Sequence, residues 1–226
     1  MARIAAELAA WGGDPASSAR LCELSAEVVG VTGGGVILIS DDVPRGSLCT
    51  TDEVSSVMED LQFTLGEGPS IQAHHQGRVV VEPELADPAV PRWPAFAARA
   101  VEAGARAVFA FPVRMGAVRL GALDLYRDRA GSLSDDEHSC GLVMADVVAR
   151  WVLDAQAGAP TGAVAEALTR GANFHFALHN AAGMVSVQLG VSVTEALVRL
   201  RAYAFSHARP VGDVANDVVG RLLRFE

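Results

Sequence analysis

VFAFPVRMGAVRLGALDLY, residues 108–126, carries the strongest structural signal in this chain of 226 residues. Its two halves, 108–113 and 118–126, are rich in residues that favour β-strands, and the four residues between them include a glycine. The pattern predicts a β-hairpin. We therefore expect a sheet that contains antiparallel strands.

Weaker signals lead up to the hairpin. Short runs of strand-forming residues occur at 36–40, 47–50 and 79–81. Apolar residues at helical spacing occur at 20–29, 54–61 and 93–103. The glycines of 32–35 are expected to separate the first helix from the first strand.

Ser134 and Glu137 follow the hairpin at the spacing of a capping box, which predicts a helix running to about residue 156. Mixed short strands with helices at both ends of the segment predict an α+β sheet domain. Residues 156–162 contain two glycines and a proline and form the best domain boundary. We place the first domain at 1–157 and a small helical domain at 161–226.

The small domain at 161–226 is predicted to contain three helices. The first spans about 164–189, Ser192 and Glu195 open the second, and Pro210 opens the third. In the first of these helices, apolar or small residues recur with the 3.5-residue repeat of a coiled coil: Val164, Leu168, Gly171, His175, Leu178, Ala182, Val185 and Leu189. Two interpretations are open, a helix packed only on its own neighbours and a helix that also dimerises. A homodimer is the working hypothesis.

Composition places the chain among globular proteins, with 50% hydrophobic and 20% charged residues. The net charge is −9, all of it in the front part, and every basic residue is Arg. Neither part is basic enough to indicate nucleic-acid binding by charge alone.

Cellular location is inferred from three features. The cysteines Cys22, Cys49 and Cys140 are odd in number and form no Cys-x-x-Cys pair, which argues against a disulfide framework and fits a reducing cytosol. Arg3 and Glu7 interrupt the N-terminus, and the longest uncharged run, 171–194, is too polar for a membrane span. We expect a cytoplasmic protein that does not enter a membrane.

Catalytic motifs are not recognisable. The glycine-rich residues 66–70 lack the ending of a phosphate loop, and no Gly-x-Ser-x-Gly elbow occurs. His175 and His179 are four apart on one helix, but spacing places no third metal ligand near them. We expect no catalytic residues, no metal site and no enzyme activity.

The second tail helix sorts into two faces. One is apolar and consists of Val193, Leu197, Leu200, Ala204 and Ala208. The opposite face carries Glu195, Arg199, Ser206 and Arg209, with Arg201 near the apolar edge. Such a face is typical of a domain that binds nucleic acid or docks on another protein. Arg199 could equally form only a salt bridge with Glu195.

The tail, at about 161–226, resembles the ANTAR family, the RNA-binding domain of transcription antiterminators. The resemblance is carried by residues 181–184, 192–197, Leu200-Arg201, Ala204, and 213–215 with 218–219 after Pro210. The front, at about 17–155, is similar to GAF domains in residues 65–69, Gly77, 79–81, Trp93 and 121–126. The order of the two parts resembles GAF–ANTAR regulators.

This resemblance implies a signal-responsive antiterminator that binds paired hairpins in nascent leader RNA, typically as a dimer, and so prevents a terminator from forming. The residues implied for RNA contact are Asn180, Ala181, Gly183, Arg199, Arg201 and Arg209. Many family members have Lys where this chain has Ala182. The GAF resemblance implies a small-molecule effector of unknown identity, because the signature of cyclic-nucleotide-binding members is absent.

Other functions are alternatives to that of an antiterminator. The tail could dock proteins as a dimer without binding RNA, or it could bind DNA, which its near-neutral charge makes a poorer fit. A free methionine sulfoxide reductase also uses the GAF fold, but the three cysteines do not reproduce its clustered arrangement.

Overall fold

The structure is a computed structural model that describes residues 18–40, 43–87, 92–158, 173–207, 209 and 211–226. The chain divides into two compact units, one up to Val164 and one from Ala165. The first holds the sheet, and the second is helical in its described part.

The first unit alternates strands and helices. Its elements are α1 (Ser18–Val29), β1 (Gly33–Ser40), β2 (Val43–Thr50), α2 (Glu53–Leu65), α3 (Pro69–Gln76), β3 (Val80–Glu82), α4 (Pro94–Ala103), β4 (Ala107–Met115), β5 (Val118–Arg127) and α5 (Asp135–Gly158). The strands form one five-stranded sheet in the order β2-β1-β5-β4-β3, and every neighbouring pair is antiparallel. The expected α+β architecture is confirmed for this unit.

The hairpin predicted at 108–126 is β4 and β5, joined at Gly116 and Ala117. Gly116 has a φ of 59°, which is why a glycine is needed at this tight turn. The hairpin occupies the middle of the sheet, because β5 also pairs with β1 and β4 also pairs with β3. Its buried side chains therefore lie at the centre of the unit.

Helices cover both faces of the sheet. α2, α3 and α4 lie on one face, where the buried side chains include Ile71, Met58 and Phe96. α1 and α5 pack on each other and on the other face, where Gly141 of α5 lies directly against the ring of Phe111. A sheet covered on both sides buries alternate side chains in two separate core layers.

One local prediction was wrong, and one helix was not predicted. Gly33–Gly35 are not a break but the first residues of β1, where they pair with Tyr126, Leu125 and Asp124. Residues 69–76 form the helix α3, which the glycine-rich sequence before it concealed. Pro69 stands in the first turn of α3, a position that needs no amide proton, and Gly77 ends the helix in the left-handed conformation.

The capping box before α5 is confirmed. The Glu137 amide donates to Ser134 Oγ at 3.3 Å, and the Ser134 amide donates to Glu137 Oε2 at 2.7 Å. The other carboxylate oxygen of Glu137 lies 2.5 Å from Nη2 of Arg127, whose side chain is only 9% exposed. Glu137 therefore ties the start of α5 to the end of β5.

The expectation of unpaired cysteines was wrong. Cys22 of α1 and Cys49 of β2 form a disulfide, with their Cα atoms 6.0 Å apart, while Cys140 is free. The two cysteines lie 27 residues apart in the chain, and the packing of α1 on β2 brings them together. The positions of Cys22 and Cys49 in the sequence do not indicate this contact.

The described part of the second unit consists of α6 (Asn173–Leu189), α7 (Val193–Ser206) and α8 (Val211–Val219). α6 packs on both of the other helices. Three of the eight positions of the proposed coiled-coil repeat, Leu178, Ala182 and Val185, are completely buried in this unit. The repeat therefore marks the core of a three-helix unit here, and its positions 164–171 lie outside the described residues.

Within the described residues, no single helix is long and apolar enough to cross a membrane. The helices Ala177–Leu189 and Val193–Ser206 meet the criteria of length and composition only as a pair, with a bend of 104° between them.

Candidate nucleic-acid interface and a buried carboxyl pair

One face of α6 is open. Asn180 is exposed, a Cβ added at Gly183 would meet no atom within 4 Å, and Val187 is 84% exposed. The spacing of these residues, three and then four, places them in one row along the helix. Because Gly183, at the centre of this row, has no side chain, a binding partner can approach the backbone of α6 closely.

Ala181 does not lie on this face. Its side chain is completely buried between the helices of the second unit, as is that of its neighbour Ala182. Ala181 therefore contributes packing, and Asn180 and Gly183 are the residues of this segment that a partner can reach.

The three arginines implied for RNA contact differ in their surroundings. Arg199 is exposed and bonds to Glu195 at 3.2 Å, and Arg209 bonds to Asp217 at 2.7 Å. Arg201 is partly buried, and burial lowers the pKa of its guanidinium. Surface ion pairs of this kind contribute little stability and exchange readily for other partners.

Aromatic rings lie on the same unit. Tyr203 and His207, one turn apart on α7, stack with their ring centres 3.9 Å apart, and Phe225 meets Tyr203 edge-on at 5.3 Å. Phe205 is 82% exposed. These rings were not predicted from the sequence, although the four-residue spacing of Tyr203 and His207 is a signal for a ring pair on one helix face.

The prediction about His175 and His179 concerns a side chain, that of His175, which lies outside the described residues. Among the described residues, no group of three or more His, Cys, Asp or Glu side chains is arranged to hold a metal ion.

The first unit contains a buried polar centre that was not predicted from the sequence. Asp124 lies on β5 opposite Gly35 of β1 on one side and Ala110 of β4 on the other. Neighbouring strands thus place the two smallest side chains beside a carboxylate, on the face that α2 and α3 cover. The side chain of Asp124 is 2% exposed.

Glu59 of α2 fills the space that Gly35 leaves open. A Cβ at position 35 would lie 2.9 Å from Glu59 Oε1, and Glu59 is itself 2% exposed. Neither carboxylate oxygen of Glu59, nor Oδ1 of Asp124, has a hydrogen-bond partner among the described residues. We call Glu59 and Asp124 the carboxyl pair.

The rest of this centre is ordered. Gln62 donates from Nε2 to Asp124 Oδ2 at 2.6 Å, and its carbonyl oxygen accepts from the Ser70 amide at 2.7 Å. Burial raises the pKa of Asp124 to about 7, although the side-chain amide of Gln62 and the side-chain hydroxyl of Ser70 oppose the shift. Burial also raises the pKa of Glu59 well above its ordinary value, with Asp124 and Asp60 adding charge repulsion.

One residue of the carboxyl pair could have been flagged from the sequence. Asp124 interrupts a run of apolar residues, 122–126, in the most strongly predicted strand, where an ionisable side chain is unexpected. Glu59 carries no such signal, since a glutamate in a helix is usually on the surface.

Another feature of this unit is a strained tryptophan. Trp93 has a φ of 49°, in the left-handed region, at the start of α4. Its Nε1 donates to Gln72 Oε1 at 3.0 Å, and the guanidinium of Arg92 lies 4.4 Å from its ring centre. These contacts hold the ring against α3 and offset the strain.

A scan against models of protein families finds no match for the chain, and neither does a comparison with curated proteins. Solved structures with a similar fold do exist. A GAF domain from a phosphoenolpyruvate-protein phosphotransferase of Coxiella burnetii is 17% identical, with a TM-score of 0.49, and the alignment covers 71% of this chain and 93% of that one.

Two further structures show the same kind of similarity. The GAF domain of the corresponding Acinetobacter protein is 11% identical, with a TM-score of 0.46 and coverage of 65% of this chain and 86% of that one. The free methionine-R-sulfoxide reductase of Neisseria meningitidis is 15% identical, with a TM-score of 0.45 and coverage of 64% and 81%. At these values the similarity says nothing about what this chain binds or catalyses.

Proposed function

We propose that this protein is a signal-responsive regulator of transcription antitermination. Its second unit binds hairpins in nascent leader RNA and prevents a terminator from forming. Its first unit is a GAF-like sensor that takes a small-molecule effector, and the protein is not an enzyme. Such a regulator works in the cytoplasm, where nascent RNA is made in bacteria.

The observation that carries the proposal is the surface of the second unit. Five of the six residues that the ANTAR resemblance assigns to RNA contact, all except Ala181, keep exposed surface. Arg199 and Arg209 can exchange their carboxylate partners for phosphates, and Asn180 can reach base edges. RNA loops are read by this combination of charge, edge contacts and ring stacking, and the Tyr203–His207 pair offers rings on the same unit.

The proposed homodimer would join two such surfaces, and linking them raises the effective concentration of the second hairpin. Leu178, Ala182 and Val185 are already used in the core of the unit. A dimer would therefore form through other side chains. Val198 is an exposed apolar residue of α7 that could serve.

The experiment is a binding titration of the full chain with RNAs that carry two short hairpins with randomised loops, at 50 to 200 mM salt. We expect affinity to fall steeply with salt and Arg199→Ala to weaken binding. Losing one phosphate contact should reduce the slope of log K against log salt by roughly 0.7–0.9.

Arg99→Ala is the matched control, because Arg99 is also an exposed helical arginine beside a glutamate, Glu102, but lies in the first unit. RNA binding should be the same in this variant as in the native chain. If both variants bind alike, or if the RNA does not bind at all, the proposed activity is wrong.

A protein-docking dimer is the second candidate. It is favoured by exposed apolar side chains on the second unit, which include Phe205 and Leu222 at 82% and 83% exposure. This candidate predicts association of the chain with itself that neither Arg199→Ala nor salt affects, and no retention of RNA.

A further inference from the structure

The disulfide between Cys22 and Cys49 joins a helix to the edge of the sheet. Cys22 lies on α1 and is completely buried, whereas Cys49 lies on β2, an outermost strand, and keeps 9% of its surface exposed. Cys140 of α5 is the third cysteine of the chain and is free. Because Cys22 has no exposed surface, a thiol from solution approaches the bond from the side of Cys49.

Opening of this bond consumes two small thiols, such as two molecules of glutathione. The thiolate of the first attacks the sulfur of Cys49 and forms a mixed disulfide, and Cys22 leaves as a thiolate. The second thiol attacks the small-molecule sulfur of the mixed disulfide, and Cys49 leaves. Both cysteine thiolates take up the protons that the small thiols lost. The protein disulfide is thereby reduced and the small thiols are oxidised to one disulfide, which is the oxidant of the reverse reaction.

The two forms of the cysteine pair need different amounts of space. Bonded sulfurs are about 2 Å apart, whereas non-bonded atoms in a packed core are about 3.5–4 Å apart. Reduction therefore moves the sulfurs of Cys22 and Cys49 apart, and the neighbours of Cys22 on α1, Leu21 and Leu24, are themselves buried. A close-packed core transmits such a change to the elements that carry it.

β2 is the element that can yield. It is an edge strand that pairs only with β1, and its pairing is irregular beside the disulfide. Cys49 pairs with Val36. The next residue of β1, Ile37, pairs with Ser47, so Leu48 is skipped, and a bulge of this kind leaves one residue outside the regular ladder. α1, in contrast, packs on α5 as well as on the sheet.

We propose that Cys22 and Cys49 form a reversible redox switch of the first unit, which responds to the ratio of small thiols to small disulfides around the protein. The bonded form fixes α1 on β2, and the dithiol form releases α1 and α5 from that strand. Disulfides in cytosolic proteins are usually transient or redox-sensing, which agrees with the proposed location. This inference adds an input to the proposed sensor and does not depend on RNA binding.

The position of α5 gives the switch a route to the rest of the chain. α5 is the last described element of the first unit, and the second unit follows it in the sequence. α1 touches α5 along the face of the sheet that α2, α3 and α4 do not cover. A change in how α1 is held therefore acts on the helix from which the chain continues.

The first test counts the free thiols of the full chain in glutathione buffers that range from fully oxidised to the reduced ratio of the cytosol. The chain is quenched in acid, unfolded and labelled with a maleimide that adds mass to each thiol. We expect one free thiol, Cys140, at the oxidised end and three at the reduced end, with the same curve from either starting form. A chain that keeps the bond at the reduced end, or does not form it at the oxidised end, would overturn the proposal.

The second test is hydrogen exchange of the full chain in the buffers at the two ends of that series. We expect the amides of α1, β2 and α5 to exchange at least about tenfold faster in the dithiol form, while those of α3 and α4 on the other face keep their rates. Cys140→Ala should respond as the native chain does. The double variant Cys22→Ala/Cys49→Ala should exchange alike in both buffers.

Two results of the exchange experiment would contradict the switch. Equal rates for α1 in the two forms would make the bond a passive crosslink, and an equal acceleration in all elements would report only a general loss of stability. No RNA is present in either test, so a failure here is separate from a failure of the proposed activity of the second unit.

Discussion

Gln62 and Asp124, whose side chains are both buried, form a hydrogen bond of 2.6 Å in the first unit. The bond spans 62 residues of sequence and joins α2 to the central strand. Because the carbonyl oxygen of Gln62 accepts from the Ser70 amide, the orientation of its amide is fixed. This one side chain thus connects two helices and the sheet around the carboxyl pair.

The stability of the first unit should depend on pH through Asp124. Its pKa is raised in the folded state to about 7, so its contribution to stability is full below its ordinary pKa near 4 and is lost as the pH rises through 7. We expect Asp124→Asn, which cannot ionise, to remove a loss on the order of 2–4 kcal/mol between pH 4 and pH 8. Urea unfolding at several pH values measures this.

Asp154→Asn serves as the control for that series, because Asp154 is an exposed acid on α5. Its pH profile should follow that of the native chain. A native profile that is flat, or that rises from pH 4 to pH 8 and is unchanged in Asp124→Asn, would show that Asp124 is not buried as described.

Gly35→Ala should destabilise the first unit by about 1–3 kcal/mol. The added methyl group would lie 2.9 Å from Glu59 Oε1 and 3.2 Å from the carbonyl oxygen of Cys49, so α2 would have to move away from the sheet. Chemical denaturation of both proteins gives the difference. An unchanged free energy of unfolding would mean that Glu59 does not occupy the space beside Gly35.

Reduction of the disulfide should also destabilise the first unit. A crosslink that closes a loop of this length stabilises by about 3–4 kcal/mol on the chain-entropy estimate, and Cys22 and Cys49 are 27 residues apart. We expect dithiothreitol to lower the Tm of the native chain and of Cys140→Ala. The double variant Cys22→Ala/Cys49→Ala should not respond to the reductant. A Tm of the native chain that is insensitive to reductant would contradict the disulfide. In a reducing cytosol the two cysteines would be mainly in the thiol form.

Gly183→Ala should separate stability from RNA binding. The glycine is inside helix α6 with open space around it, so alanine should stabilise the second unit by about 0.5–1 kcal/mol. The same methyl group would stand between the helix and a bound RNA and should weaken binding. Thermal unfolding and an RNA titration of one preparation measure both effects. Greater stability with unchanged affinity would remove Gly183 from the interface.

Local features of the fold could be predicted from the sequence. The hairpin at 107–127 depends on strand-forming residues and one tight turn, and the start of α5 depends on the pair Ser134 and Glu137. Such signals act between residues that are close in sequence. The helix α3 was missed because the glycines before it resemble an ordinary turn, although Pro69 is well placed to begin a helix.

Features that depend on distant residues could not be predicted. The Cys22–Cys49 bond and the contact of Glu59 with Gly35 exist only once α1 and α2 are packed on the sheet. The resemblance assigned Ala181 to RNA contact, yet its small side chain is completely buried between the helices of the second unit. Residue type alone does not distinguish these two environments.

The most direct test of the proposed function is ultraviolet crosslinking in cells that produce the full chain, followed by sequencing of the bound nucleic acid. We predict that crosslinks map to the second unit and that the recovered RNAs contain paired hairpins ahead of a terminator, with fewer recovered by Arg199→Ala than by Arg99→Ala. Recovery of duplex DNA, or of no nucleic acid above the background of untagged cells, would contradict the account.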